Sequence, residues 1–214
     1  NGAYWVEVVA ERKDGLLLVN NLHDCGKIKV KNVNMAIEPD FVFPLLRGRD
    51  VGRWNAKPSY RVIVPQDPDD PAKGFPEENM QEDCPKTYAY FKQFDEQLRK
   101  RSGFKQFFDV DTAPFYSIYN VGPYTFADHK VCWREVSNEV NAAVCGTVGS
   151  KATIPDHTLI SVACKSEDEA HYFCALINSA PANFIVRGYV ALHPSPHILK
   201  YIMIRQFDSK DKTH

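Results

Sequence analysis

The segment of residues 114–136 constrains the fold more than any other part of the sequence. Side-chain character alternates with a period of two over residues 116–121 and again over residues 130–135, which is typical of β-strands. A turn is expected between them, where Gly122 and Pro123 follow one another. The segment therefore predicts a β-hairpin whose second strand buries one face and exposes charge on the other.

Aromatic and cationic side chains occur together in this segment. They are Tyr116, Tyr119, Tyr124, Lys130, Trp133 and Arg134. Two interpretations are open. In the first, the aromatic residues are simply the core of a half-buried hairpin. In the second, aromatic and basic groups on one face contact nucleic acid, because such a surface needs cations for phosphate and flat or donor-bearing groups for bases.

Charge is distributed unevenly along the chain. The formal net charge of -1 argues at first against a nucleic-acid-binding protein. Residues 47–61 nevertheless hold five cations against one acid, and residues 86–105 hold six against two. Between these stretches, residues 67–83 hold seven acids against one lysine. Since residues 65–85 also contain five prolines, we expect a mobile loop without a core of its own that points away from the DNA-binding face or moves on binding.

The first basic stretch contains the sequence RGRDVGRW, which combines glycine with arginine. Gly48 and Gly52 allow the backbone to turn and to approach a partner closely. Arg47, Arg49 and Arg53 supply planar guanidinium groups that suit phosphate or guanine. Arginine-rich loops are commonly solvated, so on these residues alone a DNA-contacting loop and an ordinary solvated loop both stay open.

Four stretches resemble, in sequence and in order, the target-recognition domain of adenine-specific DNA methyltransferases from bacterial restriction-modification systems. The resemblance is strongest to the type that fuses methylase and specificity regions in one chain. The stretches are PLLRGRDVGRW at 44–54, CPKTYAYFKQFDEQLRKR at 84–101, YSIYNVGPYTFADHKVCWRE at 116–135 and EDEAHYFCALINS at 167–179. The resemblance spans nearly the whole chain and implies a domain that reads DNA beside a separate catalytic domain.

Charge clusters, turns and the resemblance together give the candidate DNA-binding residues. We expect the cations of residues 47–61 to lie mainly on phosphates and those of residues 130–134 near base edges. The full set is Arg47, Arg49, Arg53, Lys57, Arg61, Lys86, Lys92, Tyr116, Tyr119, Asn120, Tyr124, Lys130, Trp133 and Arg134.

Element patterns predict an α+β protein. Apolar, β-rich runs predict strands at 4–10 and 16–19, joined into a hairpin by a turn at 12–15. Further strands are predicted at 40–46, 60–64, 141–148, 158–164 and 200–204, and strict alternation predicts one at 27–31. Helices are predicted from Pro85 to about Arg101 and from a capping box at Ser166 and Glu169. We expect a curved, mostly antiparallel mixed sheet flanked by two or more helices, in a single domain over residues 1–207 with a flexible tail at 208–214.

Catalytic motifs are missing from the sequence. The Asn-Pro-Pro-aromatic motif that holds the flipped base in the methyltransferases it resembles is absent, and Gly146 and Gly149 alone do not form a nucleotide-binding loop. Asp109 and Asp111 look like a phosphatase nucleophile motif, but Ala113 occupies its threonine position. We therefore expect neither catalysis nor a cofactor in this stretch. The resemblance implies an upstream catalytic domain that uses S-adenosylmethionine to methylate adenine.

The remaining expectations concern environment and partners. Six scattered cysteines without a close pair favour free thiols in a reducing cytoplasm over disulfides or a zinc site. Expected partners are double-stranded DNA and the methyltransferase catalytic domain of the same chain, with no membrane. The near-neutral charge keeps an alternative open: an interaction or scaffold domain that packs on the methyltransferase and touches only the DNA backbone.

Overall fold

The computed structural model describes residues 2–26, 29–189 and 202–213. Within them the strands are β1 (Trp5–Glu11), β2 (Leu17–Asn21), β3 (Asn34–Ile37), β4 (Val42–Leu46), β5 (Val51–Gly52), β6 (Asn55–Ala56), β7 (Tyr60–Ile63), β8 (His129–Arg134), β9 (Ala143–Cys145), β10 (Thr147–Val148), β11 (Lys151–Ala152), β12 (Ile154–Pro155) and β13 (Leu159–Cys164). The α-helices are α1 (Glu77–Asp83), α2 (Pro85–Lys92), α3 (Asp95–Arg99), α4 (Ser102–Phe107), α5 (Glu167–Ile177) and α6 (Ala180–Tyr189). Short 3-10 helices cover Gly48–Asp50 and Pro123–Phe126. The predicted α+β class with mostly antiparallel strands is confirmed.

The chain divides into two compact units, each assembled from two separate stretches. Unit 1 consists of Asn1–Phe43 and Tyr60–Pro123, and unit 2 of Pro44–Ser59 and Tyr124–His214. The polypeptide therefore passes from one unit to the other three times. The prediction of one domain over residues 1–207 stays a prediction.

Unit 1 contains an antiparallel sheet in the order β7-β1-β2-β3. The predicted hairpin of β1 and β2 is confirmed. Its turn is closed by a hydrogen bond of 2.8 Å from the Arg12 amide to the Leu16 carbonyl, and Gly15 takes a φ of 81° that favours glycine. The predicted strand at 27–31 falls partly on Lys27 and Ile28, which lie outside the described residues, and residues 29–31 form no strand.

Tyrosine side chains tie the core of unit 1 together. Tyr90 donates a hydrogen bond of 2.8 Å to the Ala3 carbonyl, and Tyr4 donates one of 2.9 Å to the carbonyl of Tyr116. Tyr116 is itself fully buried, and its hydroxyl donates to the Phe75 carbonyl at 2.8 Å. Its predicted role as a DNA contact is therefore wrong, because its ring and hydroxyl are used inside the protein.

The strand predicted over residues 116–121 does not form. Side chains from distant parts of unit 1 bind the backbone groups that a neighbouring strand would otherwise bind. Arg101 donates through Nη2 to the carbonyls of Phe115 and Ser117, at 2.8 and 3.0 Å, and the Ile118 amide donates to Gln66 Oε1 at 3.0 Å. Local alternation therefore gave the wrong secondary structure.

The acidic, proline-rich segment is also different from its prediction. Met80 in α1 is fully buried, and the Phe75 ring packs against that of Phe41 with centroids 5.1 Å apart. Gln66 is buried and hydrogen-bonds to the Ile118 backbone. The prediction of a loop without a core is thus wrong, because Gln66 and Met80 are buried and residues 77–83 form helix α1.

The helix predicted from Pro85 begins as expected but is interrupted. Pro85 is its first residue, and the Glu38 carboxylate accepts hydrogen bonds from the amides of Lys86 and Thr87, at 3.1 and 2.7 Å. The chain leaves helical geometry at Phe94, where φ is -121°. Because Phe94 is fully buried, we attribute the break to core packing that outweighs helix propensity.

Unit 2 contains the antiparallel sheet β13-β8-β9. Alternate residues of β8 enter two different cores. Val131 and Trp133 pack in a cluster with residues of α5 and α6, whereas Cys132 packs in a second cluster with Leu46 and Val51. The prediction that β8 exposes one charged face is therefore wrong for most of the strand, since Lys130 and Cys132 of that face are buried and Arg134, at the end of the strand, is exposed.

Helix α5 follows its sequence signal closely. Ser166 Oγ accepts a hydrogen bond of 3.1 Å from the Glu169 amide, which confirms the predicted N-cap. The helix ends at Ile177, and α6 follows. The strand predicted at 200–204 lies partly outside the described residues, and residues 202–204 form no strand. None of the helices in the described stretches has the length and apolar character needed to cross a membrane.

Candidate nucleic-acid interface

A short hairpin in unit 2 carries most of the predicted phosphate contacts. We call residues 47–57 the basic hairpin. Strands β5 and β6 pair through Val51 with Ala56 and Gly52 with Asn55, and residues 53 and 54 form the tip. Val51 is buried and Ala56 packs against the same apolar cluster, so the base of the hairpin is anchored in unit 2.

The single acid of the basic hairpin, Asp50, points inward. Its side chain is only 8% exposed. Its carboxylate accepts hydrogen bonds of 2.9 Å from the Arg47 amide and from the Ser59 hydroxyl. The Asp50 carbonyl accepts a third from the Lys57 amide at 3.1 Å. The acid therefore organises the hairpin, while Arg49, Arg53 and Lys57 remain exposed.

Charge is separated between the two units. Unit 2 contains 13 Lys and Arg against 10 Asp and Glu, a net charge of +3, whereas unit 1 contains 13 against 17, a net charge of -4. Residues 44–59 contribute four cations and one acid, so the positive excess of unit 2 comes entirely from this stretch. The near-neutral total thus conceals a local basic surface.

Two arginines hold the basic hairpin in place. Arg134, at the end of β8, donates through Nε to the carbonyls of Gly48 and Val51, at 2.7 and 3.2 Å. Arg53 donates through Nη2 to the Asn178 carbonyl at the end of α5, at 2.8 Å. A guanidinium carries five N–H donors, so each arginine retains donors for a partner. Both residues stay exposed.

Trp54 is the residue of this surface that the sequence interpretation missed. Its side chain is 57% exposed at the hairpin tip, and the Arg53 guanidinium lies 5.6 Å from its ring centroid. Its backbone has a φ of 69°, a conformation that is uncommon for a bulky residue, and is held by a hydrogen bond of 2.9 Å to the Ala142 carbonyl. Its position directly after Arg53 in the basic stretch was the available sequence signal.

Two predicted contacts in unit 2 are wrong. Lys130 is fully buried, and its Nζ donates to the carbonyls of Thr125 and Ala127 within its own turn. Trp133 is fully buried, and its ring centroid lies 6.4 Å from that of Phe173. Both side chains serve the interior. For Trp133, as for Tyr116, the interpretation as core residues was the correct one of the two.

The other candidates are distributed over both units. Unit 1 holds exposed Lys86, Lys92, Tyr119 and Asn120 and half-buried Arg61, and unit 2 holds exposed Tyr124 and half-buried Arg47. Lys92 pairs with Asp95, and Tyr119 stacks on Phe107 with ring centroids 4.8 Å apart. The DNA-contacting roles of these residues stay predictions.

The pH dependence of stability should differ between the wild type and Lys130→Met. Burial lowers the pKa of Lys130 below its ordinary 10.5. The folded protein therefore loses this proton at a lower pH than the unfolded chain does. Because the unfolded chain binds more protons between the two pKa values, the contribution of Lys130 to stability rises with pH in that window.

Urea unfolding of both proteins at several pH values up to 10.5 measures this difference. The wild type should gain stability relative to Lys130→Met as pH increases towards that value. Lys165→Met, which changes an exposed lysine of the same unit, should show no such trend. Parallel curves for the wild type and Lys130→Met would contradict the assignment of a buried, desolvated ammonium.

Other possible reactive groups have ordinary surroundings. All six cysteines are free thiols, and four are buried. The carboxylate of Asp109 accepts hydrogen bonds from the Asp111 amide and the Thr112 hydroxyl, at 3.1 and 2.9 Å, which is the geometry of a local turn. In the part of the chain that the structure describes, no group of three or more His, Cys, Asp or Glu side chains could hold a metal ion.

Comparison with known proteins gives one informative similarity. No protein-family model matches the chain. The chain is similar to the type II methyltransferase M.NspV of Nostoc sp., with 27% identity over 173 residues. The match covers 75% of this chain and 34% of the relative, so the chain spans about a third of that protein's length. The similarity supports a relation to the methyltransferases of restriction-modification systems.

Proposed function

We propose that this chain is the DNA sequence-recognition domain of an adenine-specific N6 DNA methyltransferase. The observation that carries the proposal is the basic hairpin. It presents exposed cations on one short support, turns its only acid inward and has an exposed tryptophan at its tip. Cations bind phosphate without regard to sequence, and a neighbouring flat or forked side chain can distinguish bases.

Roles within the surface follow from the geometry. Arg49 and Lys57 are exposed on either side of the tip and suit phosphate groups. Arg134 is held against the Gly48 and Val51 carbonyls, so its orientation is fixed before binding. A fixed guanidinium fork is suited to the O6 and N7 atoms of guanine in the major groove. We therefore assign Arg49 and Lys57 to affinity and Arg134 to specificity.

Catalysis belongs, in this proposal, to a separate upstream domain of the same chain, which also binds S-adenosylmethionine. The sequence lacks the Asn-Pro-Pro-aromatic motif and a nucleotide-binding glycine loop. The related methyltransferase is about three times as long as the matched stretch, which leaves room in that protein for a catalytic domain. This chain alone should therefore neither transfer a methyl group nor bind the methyl donor.

A scaffold function is the second candidate, and unit 1 supplies the observation that favours it. Unit 1 has a net charge of -4, which disfavours DNA. It exposes Phe107 and Tyr119 as a stacked pair, 57% and 50% exposed. Exposed apolar groups of this kind occur where proteins contact one another. In this alternative the domain packs on its methyltransferase and binds only the DNA backbone.

Substitutions in the basic hairpin and at Arg134 test the proposal in the intact methyltransferase and in this chain. Arg49→Ala and Lys57→Ala should each weaken binding to all DNA sequences alike and reduce the salt slope of log K by about one unit. Arg134→Lys keeps the charge but removes the fork. It should cost about 1–3 kcal/mol on the target sequence and little on random DNA. Fluorescence anisotropy at several salt concentrations measures affinity, and sequencing of methylated adenines identifies the target.

One control variant and two outcomes distinguish the recognition function from the scaffold function. Lys165→Ala, an exposed cation of unit 2 outside the hairpin, should change none of these quantities. All variants must keep the melting curve of the wild type. Unchanged affinity and unchanged methylated sequence for Arg49→Ala, Lys57→Ala and Arg134→Lys would overturn the proposal. A change in salt slope without any effect of Arg134→Lys on sequence preference would favour the scaffold alternative.

A further inference from the structure

A pocket opens beside the tip of the basic hairpin in unit 2. Its volume is about 410 Å³, within the range of roughly 300–1,000 Å³ that small-ligand sites occupy. Its walls include Trp54, Asp128, His129, Thr147, Glu167 and His171. Trp54 lies in the basic stretch 47–61, and the other five residues lie outside both basic stretches. The pocket is thus a feature that the phosphate contacts do not explain.

The walls of the pocket suit a flat ring that carries hydrogen-bond donors. Trp54 offers an exposed indole, on which a nucleobase can stack. Asp128 and Glu167 contribute carboxylates, which accept hydrogen bonds and repel phosphate. Glu167 and His171 lie one turn apart on α5, with 3.9 Å between Glu167 Oε1 and His171 Nε2. Their side chains are 73% and 65% exposed. A phosphate group therefore fits the hairpin cations, and an amine-bearing base fits the pocket.

The conformation of Trp54 supports a binding role. Its left-handed backbone holds a large ring at the surface, where it gains little from burial. Backbone conformations of this kind persist where the surrounding structure enforces them and often occur at binding sites. The hydrogen bonds of Trp54 to Ala142 and of Arg53 to Asn178 enforce it here.

We propose that this pocket receives a single unpaired nucleobase that carries an exocyclic amine, stacked on Trp54 and hydrogen-bonded to Asp128 or Glu167. The inference rests on the proposed DNA-binding function. It extends that function from a fully paired duplex to DNA in which one base is unpaired. Extruding a base from a duplex costs a few kcal/mol, and least where the base is already unpaired. A base without a pairing partner should therefore enter the pocket most readily.

Binding of this chain to short duplexes of one mixed sequence tests the inference. One duplex is fully paired, and the others carry one extra, bulged nucleotide. The bulged duplexes should bind about tenfold more tightly, the order expected for stacking one base. Bulged adenine, cytosine or guanine should exceed bulged thymine, which has no amine. The chain is used alone so that no catalytic domain contributes its own base contacts.

Two variants on one strand separate the pocket from its surroundings. Thr147 and Val148 are both exposed on β10, but only Thr147 lines the pocket. Thr147→Tyr should fill the pocket and abolish the gain from a bulge without weakening binding to the paired duplex. Val148→Tyr should keep the gain. Trp54→Ala should also abolish it.

The outcomes distinguish this inference from the function on which it rests. Salt-dependent binding of the paired duplex with no gain from any bulge would overturn the pocket assignment and leave the proposed function standing. If Thr147→Tyr still bound a bulged duplex more tightly than the paired one, the pocket assignment would likewise be overturned and the proposed function would stand. An equal gain for thymine would overturn the amine preference and, with it, the roles of Asp128 and Glu167. Absence of binding to every duplex would overturn both proposals.

Discussion

Trp133→Ala should lower the free energy of unfolding by about 3–5 kcal/mol, the usual cost of removing a large buried aromatic side chain. Trp133 is fully buried on β8 and packs in one cluster with Val131, Ala170 and Ile177. Its loss leaves a cavity between the sheet and α5 that the surrounding side chains can fill only in part. Urea unfolding followed by circular dichroism measures the effect.

A matched change at the surface of the same unit provides the control. Phe184 on α6 is 81% exposed, so Phe184→Ala should change stability by no more than about 0.5 kcal/mol. The result bears on function because Trp133 was a candidate DNA contact. A stable Trp133→Ala protein with impaired DNA binding would restore that candidate and contradict its position in the core.

Elements with purely local determinants were predicted well from the sequence. The β1–β2 hairpin depends on a turn that Gly15 permits, with a φ of 81°. The start of α5 depends on Ser166, whose hydroxyl accepts a hydrogen bond from the Glu169 amide three residues further on. In both cases the decisive interactions lie within a few residues. A single sequence therefore contains enough information to predict them.

Elements that depend on distant partners were not predictable in this way. Residues 116–121 alternate like a strand, but Arg101 and Gln66 bind their backbone groups instead. The acidic segment has the composition of a loop, yet Met80 is fully buried. No local pattern states which distant side chain will satisfy a given carbonyl or cover a given methionine. Tertiary packing decided both cases.

The candidate site shows the same division. Clustering of Arg49, Arg53 and Lys57 is visible in the sequence, and all three are exposed. Lys130 carries the same charge as these residues in the sequence. In the structure it is buried, and its ammonium donates hydrogen bonds to the carbonyls of Thr125 and Ala127. Trp54 became a candidate only when its exposure and its place at the hairpin tip were known. Charge can be counted along a sequence, whereas the direction of a side chain depends on the fold.

Asp50→Ala should weaken DNA binding about tenfold, the order of one or two lost phosphate contacts, although it removes the only negative charge of the basic hairpin. Simple electrostatics predicts the opposite, because an acid near phosphate is repulsive. The Asp50 carboxylate, however, accepts hydrogen bonds from the Arg47 amide and the Ser59 hydroxyl. Leaving these donors without an acceptor costs about 1–3 kcal/mol and loosens the support of the neighbouring cations.

Glu135→Ala is the matched control for this prediction. Glu135 is an exposed acid beside Arg134, and its backbone amide, not its side chain, is bonded to the Thr158 carbonyl. Its removal should leave binding unchanged or strengthen it slightly, as expected for a charge without a structural role. Anisotropy titrations at several salt concentrations, with melting curves for each variant, compare the two. Tighter binding of Asp50→Ala than of the wild type would show that net charge, and not the internal bonding of the hairpin, determines affinity at this surface.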